Sequence, residues 1–443
     1  MVKIISEKRR EQGFSVFQSE PIGAKFELSD GVGQNDIPGF ADYDNKFNTI
    51  AENGLTHANS QFFFPAYMDV FIKNSGGYTK TPVNGSTVCE ISDSAKTALE
   101  KMTRYWVARY GAYPVMWTLG QEVDDDFYWA DDSHPDWNYI NNPYKLVAEY
   151  IKKYDAYDHP LTAHQENCGS TGAYGNGTGE GLKVYRKSAP SVFRDVKAHT
   201  FYAAQWTPSK TKQSDFSVEK DFWFNSQGKP VVNYEGQYCY LWTKNYGSRM
   251  QGWLAYLNGM YGYGWGGHDT WSYTNIYDEQ NDSSDGVDTV TSAEKIAATW
   301  QDALEYPSSY QSGYMADFMR NIQWQTLEPR FADKSYFSPS LNVFYAMAGN
   351  KDNSLAVIYF YSFSDSSLAA KTNAKSKYAG ALTGTVGNLT PGETYKYKWF
   401  NPVTGEYSDE CEFTASKLGT YYIGERKMNG KTVNCDMVFL LYK

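Results

Sequence analysis

Short apolar segments recur along the first 270 residues, and stretches with helical periodicity lie between them. Seven segments predict strands: GFSVFQSE from Gly13, LTHANSQFF from Leu55, PVMWTLGQE from Pro114, PLTAHQE from Pro160, DVKAHTFY from Asp195, PVVNYEG from Pro230 and GYGWGGHD from Gly262. Apolar residues at 3.6-residue spacing predict helices around 98–106 and 146–154. Strands that alternate with helices in this way are typical of βαβ units and a parallel sheet.

Polar residues cluster at the C-terminal ends of these predicted strands. They are Asn59, Gln61, Gln121, Glu122, His164, Glu166, His199, Tyr202, Glu235, His268 and Asp269. A (β/α)8 TIM barrel places its active site at that end of its strands, so the distribution favours a barrel over an open doubly wound sheet. Such a barrel needs eight strands. Because SEKRREQGF near the start predicts the first helix, we expect the first strand to lie upstream of Met1.

The pattern changes from about Leu341 onward. LAVIYFYSF, YKYKWFNPVTGEY and MVFLLYK are rich in aromatic and β-branched residues and are separated by turns such as TPGE and MNGK. They predict a small antiparallel β-sandwich. We therefore predict a barrel domain over 1–335 and a sandwich domain over 340–443, with helical sequence around 315–327 between them. Thr291 and Glu294 form a capping box that predicts a helix start.

Composition narrows the class of function. The formal charge of −10 and the lack of a basic stripe argue against nucleic-acid binding, and no apolar run is long enough to span a bilayer. Aromatic residues make up 17% of the chain and suit a groove that stacks on sugar rings, although most of them must serve ordinary packing. The chain lacks G-x-S-x-G, P-loop and dinucleotide-binding motifs.

The cysteines and histidines give little indication of a metal site. The five cysteines show no metal-ligand spacing, although Cys411 and Cys435 could face each other within a C-terminal sheet. NDSSDGVD from Asn281 lacks EF-hand spacing, so neither a metal nor another cofactor is expected. We expect His57, His134 and His159 to lie at surface or turn positions. The protein is expected to be a monomer.

Two glutamates carry the strongest indication of chemistry. Counting the missing strand as the first, Glu122 ends the fourth strand and Glu235 ends the seventh, so their tips can face each other across a barrel mouth. Retaining glycoside hydrolysis uses two carboxyl groups about 5–5.5 Å apart. The structural alternative is that Glu122 only opens a solvated loop.

Neighbouring residues suit a sugar site. Tyr202 could donate a hydrogen bond that holds the nucleophile, Gln121 could bind the sugar 2-hydroxyl, and Trp265 could form a floor under the ring. The glycines beside Trp265 indicate either close approach of a ligand or tight packing of the last strand.

Several motifs resemble those of the apiosidase-like glycoside hydrolases. RYWVARYGAYPVMWTLGQE resembles the segment before that family's catalytic acid, and REQGFSVFQ resembles its RxxGFNVIQ passage. WFNPVTGEY resembles the WFDPRTG motif of its C-terminal sandwich, whose collagen-binding label gives little reason to expect collagen binding here. The resemblance implies a (β/α)8 barrel followed by a β-sandwich, with Glu122 as the acid/base and Glu235 as the nucleophile. The family often has Asp at the first position, and its GDT-like first-strand motif is absent from this sequence.

The leading hypothesis is a retaining glycoside hydrolase that acts on a plant or microbial polysaccharide. A polymeric substrate would favour a secreted, periplasmic or cell-surface location. The alternatives are a non-catalytic carbohydrate-binding protein and a cell-surface adhesion protein whose sandwich is the functional part.

Overall fold

The computed structural model describes residues 1–19, 37–60, 65–83, 86–120, 123, 143–164, 166, 168, 191–206, 216–239, 245–267, 270, 299–340, 344–361, 383–424, 427–428, 430–432 and 436–443. The chain divides into two compact units. Unit 1 comprises Met1–Gln205 and Phe224–Val231, and unit 2 comprises Trp206–Trp223 and Val232–Lys443.

Helices and strands are interspersed up to α7, and strands predominate after α9. In chain order the elements are α1 Val2–Glu11, β1 Val16–Ser19, α2 Ile37–Glu52, β2 Thr56–Ser60, α3 Pro65–Asn74, β3 Tyr78–Val83, β4 Ser86–Ile91, α4 Asp93–Tyr110, β5 Val115–Thr118, α5 Tyr144–Tyr154, β6 Leu161–Thr162, β7 Tyr202–Ala204, α6 Ser217–Asn225, β8 Val231–Asn233, α7 Asn245–Leu257, α8 Trp300–Ala303, α9 Pro307–Arg320, a 3₁₀ turn Trp324–Thr326, β9 Glu328–Pro329, β10 Phe337–Pro339, β11 Phe344–Gly349, β12 Leu355–Tyr361, β13 Gly384–Val386, β14 Thr394–Asn401, β15 Glu406–Tyr407, β16 Cys411–Thr414, β17 Tyr421–Ile423, β18 Lys427–Met428, β19 Lys431–Thr432 and β20 Met437–Tyr442.

A parallel sheet organises unit 1. Its strands pair in the order β1-β2-β5-β6, with Val16 opposite Thr56 and Trp117 opposite Leu161. A parallel bridge between His164 and Ala203 continues the arrangement beyond β6. Apart from the β3-β4 hairpin, each strand pairs with the next one along the chain. The mixed α/β class is therefore as predicted, and this strand order is compatible with a (β/α)8 barrel.

The two helices predicted from periodicity are present, and their apolar faces are buried. The α4 helix starts at an N-cap, Ser92, whose Oγ accepts a hydrogen bond from the Ala95 N–H at 3.2 Å. Its Leu99 and Trp106 side chains are fully buried in one apolar cluster with Val147 of α5. Burial of this face supplies most of the stabilisation of such helices, which are marginal in isolation.

Antiparallel sheets make up the C-terminal part of unit 2. The larger sheet has the order β15-β14-β20-β12-β11-β9, and β16 also pairs with β14. A smaller sheet has the order β10-β13-β17. Phe337 and Val386 of the smaller sheet share one buried apolar cluster with Ile358 and Phe439 of the larger one. This arrangement is compatible with the expected β-sandwich.

Two helices of unit 2 pack on the larger sheet through aromatic rings and a buried ion pair. Trp253 of α7 stacks on Tyr359 of β12 at 5.6 Å between ring centroids and meets Phe318 of α9 edge-on at 5.1 Å. Arg249, also on α7, forms a two-point ion pair with Asp436, which directly precedes β20. These contacts fix α7 against the strands that follow it by more than a hundred residues in sequence.

Three details differ from the sequence-based predictions. The strand predicted from Asp195 lies later, at β7, and the segment before it consists of turns. The segment from Gly262 forms isolated parallel bridges at Tyr263 and Gly267 rather than a continuous strand. The hairpin of β3 and β4 was not predicted, although Asn84-Gly85 between alternating residues is a strong hairpin signal. The predicted helix start at Thr291 lies outside the described residues, as do His134 and Cys435.

Candidate active site

Glu235 lies two residues beyond the C-terminal end of β8, where the sequence predicted a catalytic carboxylate. Its side chain is only 8% exposed, and the Tyr238 hydroxyl donates a hydrogen bond to Oε1 at 2.8 Å. The Gln237 N–H donates to Gln251 Oε1 at 2.9 Å, which ties the following turn to α7. Tyr238 therefore fixes the orientation of the Glu235 carboxylate.

The backbone after β8 is held by the segment that contains Trp265. The Gly264 N–H donates to the Asn233 carbonyl at 2.7 Å, and the Cys239 N–H donates to the Gly266 carbonyl at 2.8 Å. Parallel bridges join Asn233 to Tyr263 and Cys239 to Gly267. Glu235 therefore sits on a backbone that is fixed on both sides by hydrogen bonds, as a preorganised catalytic group requires.

The glycines beside Trp265 serve close packing. A Cβ atom on Gly264 would lie 2.1 Å from the Tyr234 carbonyl oxygen, and one on Gly266 would lie 2.3 Å from Cδ1 of Tyr238. Of the two explanations left open by the sequence, these distances support tight packing within the protein. The second contact also means that Gly266 makes room for the tyrosine that holds Glu235.

The indole N–H of Trp265 is engaged inside unit 2. Its Nε1 donates to the Ser308 Oγ at 3.0 Å, and its ring packs against Cys239 and Tyr306. Trp265 is nevertheless only partly buried. Its role as a floor under a sugar ring stays a prediction.

A second buried carboxylate, Glu166, lies in unit 1 and is fully enclosed. Its Oε2 accepts hydrogen bonds from the Thr162 hydroxyl at 2.8 Å and the Ala203 N–H at 2.9 Å, and its Oε1 accepts from the Ser191 hydroxyl at 2.9 Å. His199 Nε2 lies 2.7 Å from the same Oε1. These contacts connect the C-terminal end of β6 to β7 and to the segment before β7, so Glu166 orients the residues around it.

A lysine completes this cluster. Lys229 Nζ donates to the Arg194 carbonyl at 3.0 Å and lies 3.1 Å from His199 Nδ1. An ammonium group can only donate, so Lys229 is the donor in its contact with His199 Nδ1. Burial lowers the pKa of Lys229, while the charges of Glu166 and Asp195 oppose that shift. Tyr202, fully buried, meets the His199 ring edge-on at 4.8 Å.

Three buried polar residues lie on β2 and just beyond β6. Asn59 is 2% exposed, and its Nδ2 has no hydrogen-bond partner among the described residues. His164 is fully buried at the bridge to Ala203. The predicted surface position of His57 is wrong: its ring packs edge-on against Phe47 at 4.4 Å, and its Nε2 lies 2.6 Å from the Ser19 hydroxyl.

The environment of His57 determines its charge. Burial lowers the pKa of His57 well below its ordinary value, and the nearby positive charge of Lys46 acts in the same direction. The ring is therefore neutral at pH 7, and its Nε2 shares a hydrogen bond with the Ser19 hydroxyl.

Five predicted site residues lie outside the described residues. They are Glu122, Gln121, Gln61, His268 and Asp269. Their roles stay predictions.

The prediction from sequence also missed two residues of these clusters, Tyr238 and Lys229. Tyr238 lies three residues after Glu235, a spacing that could have identified it as a donor. Lys229 stands just before β8 and gave no signal in the sequence.

The described residues hold neither a membrane-spanning helix nor a cluster of metal ligands. No described helix combines the length and the apolar character needed to cross a membrane. No group of three or more His, Cys, Asp or Glu side chains in the described part of the chain could hold a metal ion.

Comparisons with known proteins place this geometry in a family context. The family model for the apiosidase-like catalytic domain matches residues 2–326. A solved structure described as a glycoside hydrolase is similar over 100% of this chain and 88% of its own, with 14% identity and a TM-score of 0.63. A glycoside hydrolase family 5 protein from Bacteroides vulgatus is similar over 100% of this chain and 85% of its own, with 11% identity and a TM-score of 0.63. No curated protein matches the sequence.

Proposed function

Because the chain belongs to the apiosidase-like family of glycoside hydrolases, we propose that it cleaves glycosidic bonds of a plant or microbial polysaccharide with retention of configuration. Glu235 is the proposed nucleophile and Glu122 the proposed acid/base. A (β/α)8 barrel would carry both residues at the C-terminal ends of its strands. The observation that carries the proposal is the buried Glu235 carboxylate, fixed beyond β8 by the Tyr238 hydroxyl.

The surroundings of Glu235 suit a nucleophile. A carboxylate that attacks the anomeric carbon must be ionised and held in one orientation before substrate arrives. Tyr238 donates a hydrogen bond to Oε1 and so helps to hold the carboxylate that is proposed to form the glycosyl–enzyme bond. The acid/base at Glu122 would protonate the departing oxygen in the first step and activate water in the second.

The remaining predicted residues have supporting roles in this proposal. Gln121 would bind the sugar 2-hydroxyl, an interaction that strengthens in the transition state. Asn59, whose buried amide donor has no partner among the described residues, is a candidate for binding a sugar hydroxyl. Glu166 and His199 would act as positioning residues, because their polar atoms already face protein groups. Gln61, His164, Tyr202, Trp265, His268 and Asp269 are the further proposed substrate contacts.

The test is release of reducing ends from a panel of plant polysaccharides. The wild type is compared with Glu235→Gln, Glu122→Gln and a control at an exposed position, Glu406→Gln. We expect each of the first two variants to lose at least about a thousandfold in kcat while Glu406→Gln keeps full activity. Circular dichroism verifies that all four proteins are folded.

The stereochemistry of the first product tests the retaining mechanism. Proton NMR should show a product with the same anomeric configuration as the substrate, whereas inversion would contradict a glycosyl–enzyme intermediate. Folded wild type that binds glycans without cleaving any of them would support the carbohydrate-binding alternative instead.

A further inference from the structure

A cleft of about 660 Å³ opens on unit 2. Glu235 and its neighbours in sequence are not among the residues that line it. It lies among the C-terminal end of α9, the turn before β12, and strands β14, β15 and β20. The volume falls within the range of small-molecule sites. The residues of the lining that bear on the inference are Arg320, Gln323, Lys398, Tyr407, Tyr442 and Lys443.

The charge of this cleft is opposite to that of the whole chain. Its lining holds three cationic side chains and no aspartate or glutamate among the described residues, whereas the chain carries a formal charge of −10. Each cation has a carboxylate partner outside the lining; the ion pairs are Arg320–Asp317, Lys398–Glu410 and Lys443–Glu393. Lys398 and Glu410 are 3.5 Å apart, and Lys443 and Glu393 are 3.2 Å apart. Exposed pairs of this kind contribute little, so the cations can turn to a bound anion at small cost.

The rest of the lining suits a sugar. Tyr407 is 38% exposed, and its ring is held by stacking on Phe318 at 6.0 Å between centroids. Lys398 Nζ lies 6.0 Å from the ring centre of Tyr442, so cation and aromatic face are presented together. The side-chain amide of Gln323 is exposed and makes no hydrogen bond to another described residue. Aromatic faces stack on sugar rings, and amides bind hydroxyl groups.

We propose that this cleft binds an acidic oligosaccharide, with Arg320 and Lys398 pairing uronate carboxylates and Tyr407 supporting a sugar ring. The choice of a sugar over other anions rests on the proposed glycoside hydrolase function. The cleft then holds a polymer through its charged groups while another region of the chain cuts it. Arg suits this task because its planar fork binds a carboxylate through two hydrogen bonds.

The test is isothermal titration calorimetry of the full chain with tetragalacturonate, the neutral cellotetraose and inorganic phosphate at low ionic strength. The double variant Arg320→Gln/Lys398→Gln removes two cations of the cleft. The matched control is Lys396→Gln, because Lys396 lies on the same strand and also pairs with Glu410, at 2.8 Å, yet is outside the lining. We expect tetragalacturonate to bind, and the double variant to weaken that binding by at least about tenfold while Lys396→Gln leaves it unchanged.

Each other outcome overturns the proposal. Equal binding of cellotetraose would show that charge does not select the ligand, and equally tight binding of phosphate would show a simple anion site. Loss of affinity in Lys396→Gln equal to that in the double variant would show a general charge effect. Hydrolysis of the polysaccharide panel is measured in parallel. If the chain hydrolyses a polysaccharide but does not bind tetragalacturonate, only the proposed role of the cleft is refuted. If it binds tetragalacturonate but hydrolyses nothing, only the proposed glycoside hydrolase function is refuted.

Discussion

Replacement of Asp436 by Asn is expected to destabilise unit 2 by several kcal/mol. Asp436 is 3% exposed, and it accepts hydrogen bonds from Arg249 Nε at 2.9 Å, from Arg249 Nη2 at 2.7 Å and from the Tyr359 hydroxyl at 2.7 Å. Burial by itself lowers the pKa of Arg249, but the facing Asp436 carboxylate raises it above its ordinary value. The guanidinium therefore stays charged, and in the variant it would remain buried without a facing carboxylate, with only neutral amide oxygens such as that of Gln311 as side-chain acceptors.

The magnitude follows from the loss of that carboxylate. Each hydrogen bond to a charged group contributes about 1.5–3 kcal/mol, and an amide can replace only one of the two acceptors that face Arg249. Removing one partner of a buried ion pair costs about 3–5 kcal/mol in measured cases. We therefore expect a loss of about 3 kcal/mol, a large fraction of the 5–15 kcal/mol typical of folded proteins.

Amide hydrogen exchange followed by mass spectrometry is the suitable assay, because a chain with two compact units need not unfold in one step. A loss of 3 kcal/mol corresponds to about a hundredfold faster exchange in β20, whereas β5 in unit 1 should be unchanged. The control is Asp317→Asn, which removes the carboxylate of an exposed ion pair and should accelerate exchange less than about fivefold. Equal, small effects of the two variants would refute the reasoning.

Three further outcomes are expected. Tyr238→Phe should lower kcat/KM by about tenfold to a hundredfold at unchanged stability, because it removes the hydrogen bond that orients the Glu235 carboxylate; unchanged steady-state kinetics would contradict this role. Below about pH 6.5, the free energy of unfolding should decrease by at most about 1.4 kcal/mol for each unit that the pH is lowered. The reason is that His57 becomes protonated at a higher pH in the unfolded chain than in the folded chain. His57→Asn should remove that part of the slope in urea titrations at several pH values, and an identical slope would argue against it. Gly264→Ala should lower the free energy of unfolding by at least about 2 kcal/mol, since its Cβ would lie 2.1 Å from the Tyr234 carbonyl oxygen. Urea titration measures this change, and a variant as stable as the wild type would refute the packing explanation.

Local patterns predicted those parts of the fold that depend on neighbours in sequence. The apolar runs gave β1, β2, β5 and β6, and the 3.6-residue spacing gave α4 and α5, because burial of one face determines both signals. The strand predicted from Asp195 was placed too early in the sequence. The apolar pattern of HTFYAA continues beyond Tyr202, where the predicted strand ended, and turns occupy the residues before β7. Element boundaries depend on such tertiary competition, which a sequence window does not contain.

The candidate site was predictable only in part for the same reason. Glu235 was identified because it directly follows a buried run, and in the structure it lies buried two residues beyond β8. A donor to its carboxylate is Tyr238, which the sequence-based prediction did not name. Arg249 and Asp436 are 187 residues apart, so their pairing has no local signature. Burial converts this distant pair into a strong interaction.

Trapping the glycosyl–enzyme intermediate tests the central claim most directly. The Glu122→Gln variant is mixed with a nitrophenyl glycoside of the sugar found in the polysaccharide panel, whose leaving group departs without acid assistance, and the mixture is quenched with acid. The intermediate should accumulate because the base that activates water is missing. The account predicts a peptide heavier by one glycosyl residue, with the added mass on Glu235. An adduct on another residue, or a burst of nitrophenol with no protein adduct, would contradict it.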